Sequence, residues 1–362
     1  MEGSKDGVAP CVWSINKSKG FGAKKINFVV TLNAQGNSGR LDRYFYKDGR
    51  GSLVPADSYQ INRFKNGLQK CFKAALDAGF TGIHILPHVD PVDASGKGMW
   101  RNVVKFDPTQ KIGPGGNAFS YEDVLLTPTA QAINAVVGPN TLVEFTLTGE
   151  QGLSVFTYPN AWAALLDRTK AVSAKGKDAS RHLTGVSFNW DKVCGCVEPE
   201  ERDPIKYNNT YLERFSRFKS SGGLGRIDVA GVRKLLDKSD FIGASGYAST
   251  DLNVVAASHE VSAATVNFEF LSFGIDLRTY MFQKNKPFVY SEQGLGGCQS
   301  NGQIAPSLPW VAKHPFWGLW PGQYETKLDP WQNTEFKGYR RRFYDALSKF
   351  AQNGGGEERK LV

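Results

Sequence analysis

Between residues 58 and 86 the chain spells a helix, a stop and a strand. Ile61, Phe64, Leu68, Phe72 and Ala75 recur at three- and four-residue steps, the period of one buried helix face. Gly79 then stands where a left-handed C-cap belongs, and residues 80–86 read as a buried strand. Helix, glycine and strand in that order are the second half of a βα repeat, which directs the chain toward a sheet with covering helices.

The rest of the chain extends that alternation. Residues 26–32 form a clear strand, followed by a long loop to about residue 58; residues 12–15 suggest a short strand in an otherwise irregular N-terminal segment, 1–25. Further strands are expected at 141–147, 183–188, 241–247, 288–290 and 315–320. Helices are expected at 159–172, at 228–236 with Asp228 as its cap, at 259–283 with a break near Gly274, and at 333–352. Ser120 has the position of an N-cap before Glu122 and Asp123, Thr127-Pro128 can open a short helix ending near Gly138, and a helix near 211–218 interrupts a long polar connection. No tandem repeat, interdomain linker or Gly-rich dinucleotide loop appears. A single α/β domain over residues 1–362, a (β/α)8 TIM barrel, accounts for this pattern better than a doubly wound sheet.

Composition narrows the partners. The net charge is +9, yet the only basic run, Arg340-Arg341-Arg342, lies on a helix with the apolar stripe Phe336, Tyr339, Phe343, Leu347 and Phe350. That run reads as a solvated helix face, so no nucleic-acid partner is expected. No apolar run of about 18 residues suggests a membrane span, and a monomer is expected. The start Met1-Glu2-Gly3-Ser4 carries no secretory leader; an extracellular protein whose leader was removed would begin in the same way. Five cysteines are too few and too irregular for a disulfide scaffold or zinc site, and Cys194 and Cys196 are compatible with a disulfide or with two thiols. His182, His259 and His314 carry no pattern, so neither metal nor cofactor is expected.

In such barrels reactive side chains project from the C-terminal ends of the strands. Here those ends supply His88, Asp90, Glu150, Asn189, Trp190, Tyr247, Glu292 and Trp320. A lone carboxylate at the tip of an apolar strand is costly to desolvate, which singles out Glu292 behind Phe288-Val289-Tyr290 and Glu150 behind residues 141–147. Two carboxyls flanking one bond are the requirement of glycoside hydrolysis, held about 5–5.5 Å apart in retaining enzymes. Glu144, inside its strand, is the fallback acid, though it is more readily read as turned inward beside a basic group, and His84 as a core or interface residue.

Leu86-Pro87-His88-Val89-Asp90, with Trp100-Arg101 downstream, resembles glycoside hydrolase family 113 of the retaining (β/α)8 clan, whose activity is endo-β-1,4-mannanase; residues 287–294 resemble its seventh strand and Asp240-Phe241-Ile242-Gly243 with Tyr247 its sixth. The resemblance spans roughly residues 60–325. It implies Glu150 as acid/base and Glu292 as nucleophile, with His88, Asp90, Trp100 and Arg101 in a substrate-binding loop. It also places Tyr247 beside the nucleophile and Trp320 under the sugar at the cleavage point. The implied ligand is a β-linked polysaccharide or oligosaccharide, of mannan type first and β-glucan next; transfer to another sugar, or carbohydrate binding without cleavage, are the alternatives. Many members of the clan have Asn directly before the acid/base, where this chain has Gly149.

Overall fold

The structure, a computed structural model, describes residues 9–20, 22–197, 204–249, 258–299, 303–316 and 335–352. The chain divides into two compact units: residues 1–188, 194–196 and 222–243 form the first, and residues 189–193, 197–221 and 244–362 the second.

The first unit opens with helix α1 (Pro10–Ser18), where a short strand was expected. Proline at the first turn suits a helix start, and the Cys11–Cys71 disulfide ties α1 to α2 (Ser58–Asp77). Strand β1 (Lys25–Asn37) then turns at Ser38-Gly39 and returns antiparallel as β2 (Arg40–Lys47), which pairs in turn with β3 (Leu53–Pro55). Helix α2 begins at Asp57, whose carboxylate accepts from Gln60 N at 2.7 Å, and ends before Gly79 at φ 92°. Strand β4 (Gly82–Val92) follows, parallel to β1 with Asn33 opposite Asp90. A reciprocal bond between Ser120 and Asp123 starts the next helical stretch, a π-helical turn at Glu122–Leu126 running into α3 (Thr127–Asn134). Strand β5 (Leu142–Gly149), helices α4 (Gly152–Thr157) and α5 (Pro159–Ser173), and strand β6 (His182–Phe188) continue the parallel part. After α6 (Pro204–Ser220), which belongs to the second unit, α7 (Val229–Lys238) is capped by the Asp228 carboxylate on Gly231 N and leads into β7 (Phe241–Ser245). A cluster of Phe106, Tyr121 and Trp162 rings fills the core beside α5, and the Tyr121 hydroxyl donates to Leu147 O at 3.0 Å.

In the second unit α8 (Ser258–Ser272) breaks at Gly274, φ 72°, before α9 (Leu277–Lys284). Strand β8 (Phe288–Glu292), α10 (Leu308–Lys313) and α11 (Glu335–Gln352) follow. Tyr211 and Phe215 of α6 pack with Phe268 and Phe273, while Leu295, Val311, Tyr339 and Phe343 form a separate apolar cluster.

The eight strands form one mixed sheet in the order β3-β2-β1-β4-β5-β6-β7-β8. This overturns the closed parallel (β/α)8 barrel expected from the sequence. The physical reason lies in residues 33–47. A barrel needs both edges of its first strand for parallel neighbours, but one edge of β1 is taken by β2 across a tight hairpin. Much of the long loop expected before residue 58 is therefore strand, at 33–37, 40–47 and 53–55. The eighth strand expected at 315–320 falls mainly outside the described residues, and Pro315 and Phe316 lie in a turn.

Candidate active site

Strand β4 carries His88 and Asp90 toward its end, and β5 delivers Glu150 just beyond its last residue, Gly149. Glu150 adopts φ 60°, a left-handed conformation that a non-glycine residue holds only against a cost of roughly 1–3 kcal/mol. Its side chain is 12% exposed, and one oxygen meets Arg101 Nη1 at 3.1 Å. The same guanidinium donates through Nη2 to Asp90 at 2.8 Å and through Nε to Val89 O at 3.1 Å. Arg101 opens a short 3-10 turn, Arg101–Val103, directly after Trp100, which is partly exposed. Asp90, Trp100, Arg101 and Glu150, collected from sequence alone, thus share one unit, and two of them, Asp90 and Glu150, share the Arg101 guanidinium.

His88 joins this group by packing. A Cβ placed on Gly149 would lie 2.3 Å from His88 Cδ2 and 2.7 Å from both His88 Nε2 and Pro87 O. Glycine before Glu150, the departure from the clan pattern, is therefore required by the imidazole that fills the space where a side chain would stand.

The turn that carries Arg101 is braced from behind. Asn102, fully buried, accepts from Gly152 N at 2.7 Å through Oδ1. Cys194 and Cys196 form a disulfide, and Gly195 between them, φ 59°, approaches so closely that a Cβ would lie 1.9 Å from Asn102 O.

Glu144 does not reach the strand tip. It pairs with Lys25 Nζ at 2.6 Å and His84 Nδ1 at 3.1 Å, while His84 Nε2 meets the Thr146 hydroxyl at 3.1 Å. Burial acts to raise the Glu144 pKa, but the hydrogen bonds from His84 and Lys25 outweigh it and hold the group below the ordinary carboxylate range. Glu144 and His84 are thus a buried cross-strand pair between β4 and β5.

In the second unit, Glu292 closes β8 and its Oε2 accepts from the Tyr247 hydroxyl at 3.2 Å. Asn189 and Trp190 belong to a network that sequence reasoning missed, joined to Ser245 of β7. Asn189 Nδ2 donates to Asp191 at 2.7 Å and its Oδ1 accepts from Ser245 Oγ at 3.0 Å, while Trp190 N donates to the same hydroxyl. Lys192, 4% exposed and at φ 52°, forms an ion pair with Asp191. The backbone amides of Lys192 and Val193 donate to the buried Glu269 at 2.6 and 2.7 Å. Both Asn189 amide atoms are engaged by protein, so it acts as a brace. The only hint in sequence was a polar run directly after the apolar β6. Trp320 lies outside the described residues.

Among the described residues no group of three or more His, Cys, Asp or Glu is arranged to hold a metal ion, and no helix is long and apolar enough to cross a membrane. Comparisons with protein-family models, with curated proteins and with solved structures find no match for this chain.

Proposed function

We propose that the chain is a retaining endo-β-glycosidase acting on a β-linked hexose polymer, mannan type first. The observation that carries the reading is Glu150: a carboxylate at a strand tip, held in a left-handed backbone conformation and gripped by Arg101. Backbone strain at a charged, nearly buried side chain is characteristic of functional positions.

In this reading Glu292 attacks the anomeric carbon to form a glycosyl-enzyme, and Glu150 protonates the departing oxygen. Glu150 then takes a proton from the water that releases the sugar. The Tyr247 hydroxyl orients the Glu292 carboxylate before attack. Arg101, shared between Asp90 and Glu150, orients the Glu150 carboxylate and favours its ionised form, the state that takes the proton from water.

Trapping is the direct test. A 2-deoxy-2-fluoro-β-mannosyl fluoride should label the peptide containing Glu292, and Glu150→Gln and Glu292→Gln should each fold and lose turnover on mannan and glucomannan by at least about 10³-fold. Near-normal turnover in Glu292→Gln would remove the mechanism.

The Arg101 ion pair also favours a second reading, carbohydrate binding without cleavage, since a carboxylate tied to a guanidinium is a rigid acceptor for sugar hydroxyls. Oligosaccharide binding with no product from mannan, glucomannan or β-glucan would select it.

A further inference from the structure

The two disulfides of the first unit do different work. Cys11–Cys71 joins cysteines 60 residues apart and docks α1 on α2, whereas Cys194–Cys196 joins cysteines only 2 apart. A cross-link restrains the unfolded chain more strongly the longer the loop it closes, so the second bond is a poor general staple. Its effect is local: it encloses Gly195, which stands at φ 59°.

Gly195 is the point at which that bond reaches the candidate site. A Cβ added there would lie 1.9 Å from Asn102 O and 3.0 Å from Leu153 N. Asn102 follows Arg101 in the turn Arg101–Val103, and Leu153 follows Gly152 at the start of α4. These two elements are tied where they meet, since Asn102 Oδ1 accepts from Gly152 N at 2.7 Å. The loop 194–196 thus backs both the turn that carries Arg101 and the chain just beyond Glu150, the two halves of one ion pair.

The bond is also arranged for exchange. Cys194 is fully buried while Cys196 is partly exposed, so the approach open to an incoming thiolate is toward Cys196. The sulfur expelled by that attack, Cys194 Sγ, already accepts from Cys196 N at 3.0 Å. An N–H directed at this sulfur favours its thiolate form and makes it the better leaving group.

We propose that Cys194–Cys196 is a reversible thiol–disulfide exchange site whose state sets the position of the Arg101 turn. A thiolate of a dithiol reductant attacks Cys196 Sγ and forms a mixed disulfide; the Cys194–Cys196 bond breaks and Cys194 leaves as a thiolate. The second thiol of the reductant, deprotonated, then attacks the reductant sulfur of the mixed disulfide and releases Cys196 as a thiolate. The reductant departs as its own disulfide, its electron pair and both its thiol protons passing to the two cysteines. With the ring open no cross-link holds Gly195 at positive φ, and glycine takes negative φ about as readily, which withdraws the support behind Asn102. An oxidised dithiol reverses the steps. The proposal does not depend on the sugar chemistry assigned to Glu150.

Titration of the full chain with dithiothreitol tests it, read by alkylation with mass spectrometry and by residue-level hydrogen exchange. Cys194 and Cys196 should be alkylated at a lower dithiothreitol concentration than Cys11 and Cys71, and oxidised dithiothreitol should restore the bond. The amides of Gly152, Val103 and Val104 are bonded to Asn102 Oδ1, Trp100 O and Arg101 O. On reduction their exchange should quicken by at least about tenfold, with the circular dichroism of the protein unchanged. Cys194→Ser combined with Cys196→Ser should exchange quickly without reductant and ignore its addition, which separates this bond from Cys11–Cys71. The proposal is overturned if Cys11 and Cys71 are alkylated first, if those three amides keep their rates once Cys194 and Cys196 are reduced, if the bond does not re-form, or if its reduction unfolds the protein.

Discussion

The imidazole of His88 occupies the space that a side chain at position 149 would need: an added Cβ would stand 2.3 Å from His88 Cδ2. Gly149→Ala should therefore destabilise the protein by about 1–3 kcal/mol, because the backbone oxygen of Pro87, 2.7 Å from the same point, leaves little freedom to adjust. Urea denaturation reads the loss, and an unchanged midpoint would show that His88 can swing aside. Gly149→Asn, the residue of the clan pattern, should be worse.

Arg101 serves two carboxylates and one carbonyl with a single planar group. Lysine keeps the charge and loses the fork, so under the proposed glycosidase reading Arg101→Lys lowers turnover on mannan by roughly 10- to 100-fold. A double-mutant cycle with Glu150→Gln should show strongly non-additive kinetics, and simple additivity would separate Arg101 from Glu150.

Acid stability should report Glu144. Its folded pKa lies below the ordinary value of 4.5, since the bonds from His84 and Lys25 outweigh its burial. The stability it contributes is then complete above 4.5 and is lost as the pH falls through the folded value. Glu144→Gln should lower stability at pH 7 by on the order of 1–3 kcal/mol and flatten the acid limb of a stability-versus-pH curve; a parallel curve would contradict the assignment.

A second window belongs to His182. Burial, with Lys177 and Lys170 nearby, lowers its pKa from 6.5 against the opposing pull of Asp178. A depressed imidazole favours the fold above 6.5, and that advantage fades as the pH falls toward its folded value. Thermal unfolding of His182→Gln between pH 7 and 5 should show a shallower slope than the parent. The residual slope should track His259, which burial shifts in the same direction.

Much of the framework was legible because it rests on local chemistry. Gly79 after α2, Asp228 before α7, the reciprocal bond of Ser120 and Asp123, and the break at Gly274 all depend on neighbours within a few residues. Sheet closure is not local. The β1–β2 hairpin escaped notice because Leu41, Tyr44 and Tyr46, its buried positions, are interrupted by Asp42 and Arg43, so the two-residue period is broken. Once β2 takes the edge of β1, the barrel is lost whatever the later strands do. Helix α1 was hidden because Val12, Trp13 and Ile15 favour a strand, and the Cys11–Cys71 bond that docks it cannot be deduced from spacing alone. Asp90, Arg101 and Glu150, chosen from strand ends and motif, lie together around one guanidinium. The ion pair of Asp191 and Lys192 was missed because adjacent opposite charges ordinarily mean a solvated turn.

An unclosed sheet must end somewhere, and in the first unit it ends at β3, three residues long and finished by Pro55. Proline has no amide hydrogen to offer an incoming strand, and so short a rail gives a stray polypeptide almost nothing to hold. The fold thereby guards against growing outward into a fibril at that border, and Pro55→Thr should weaken the guard.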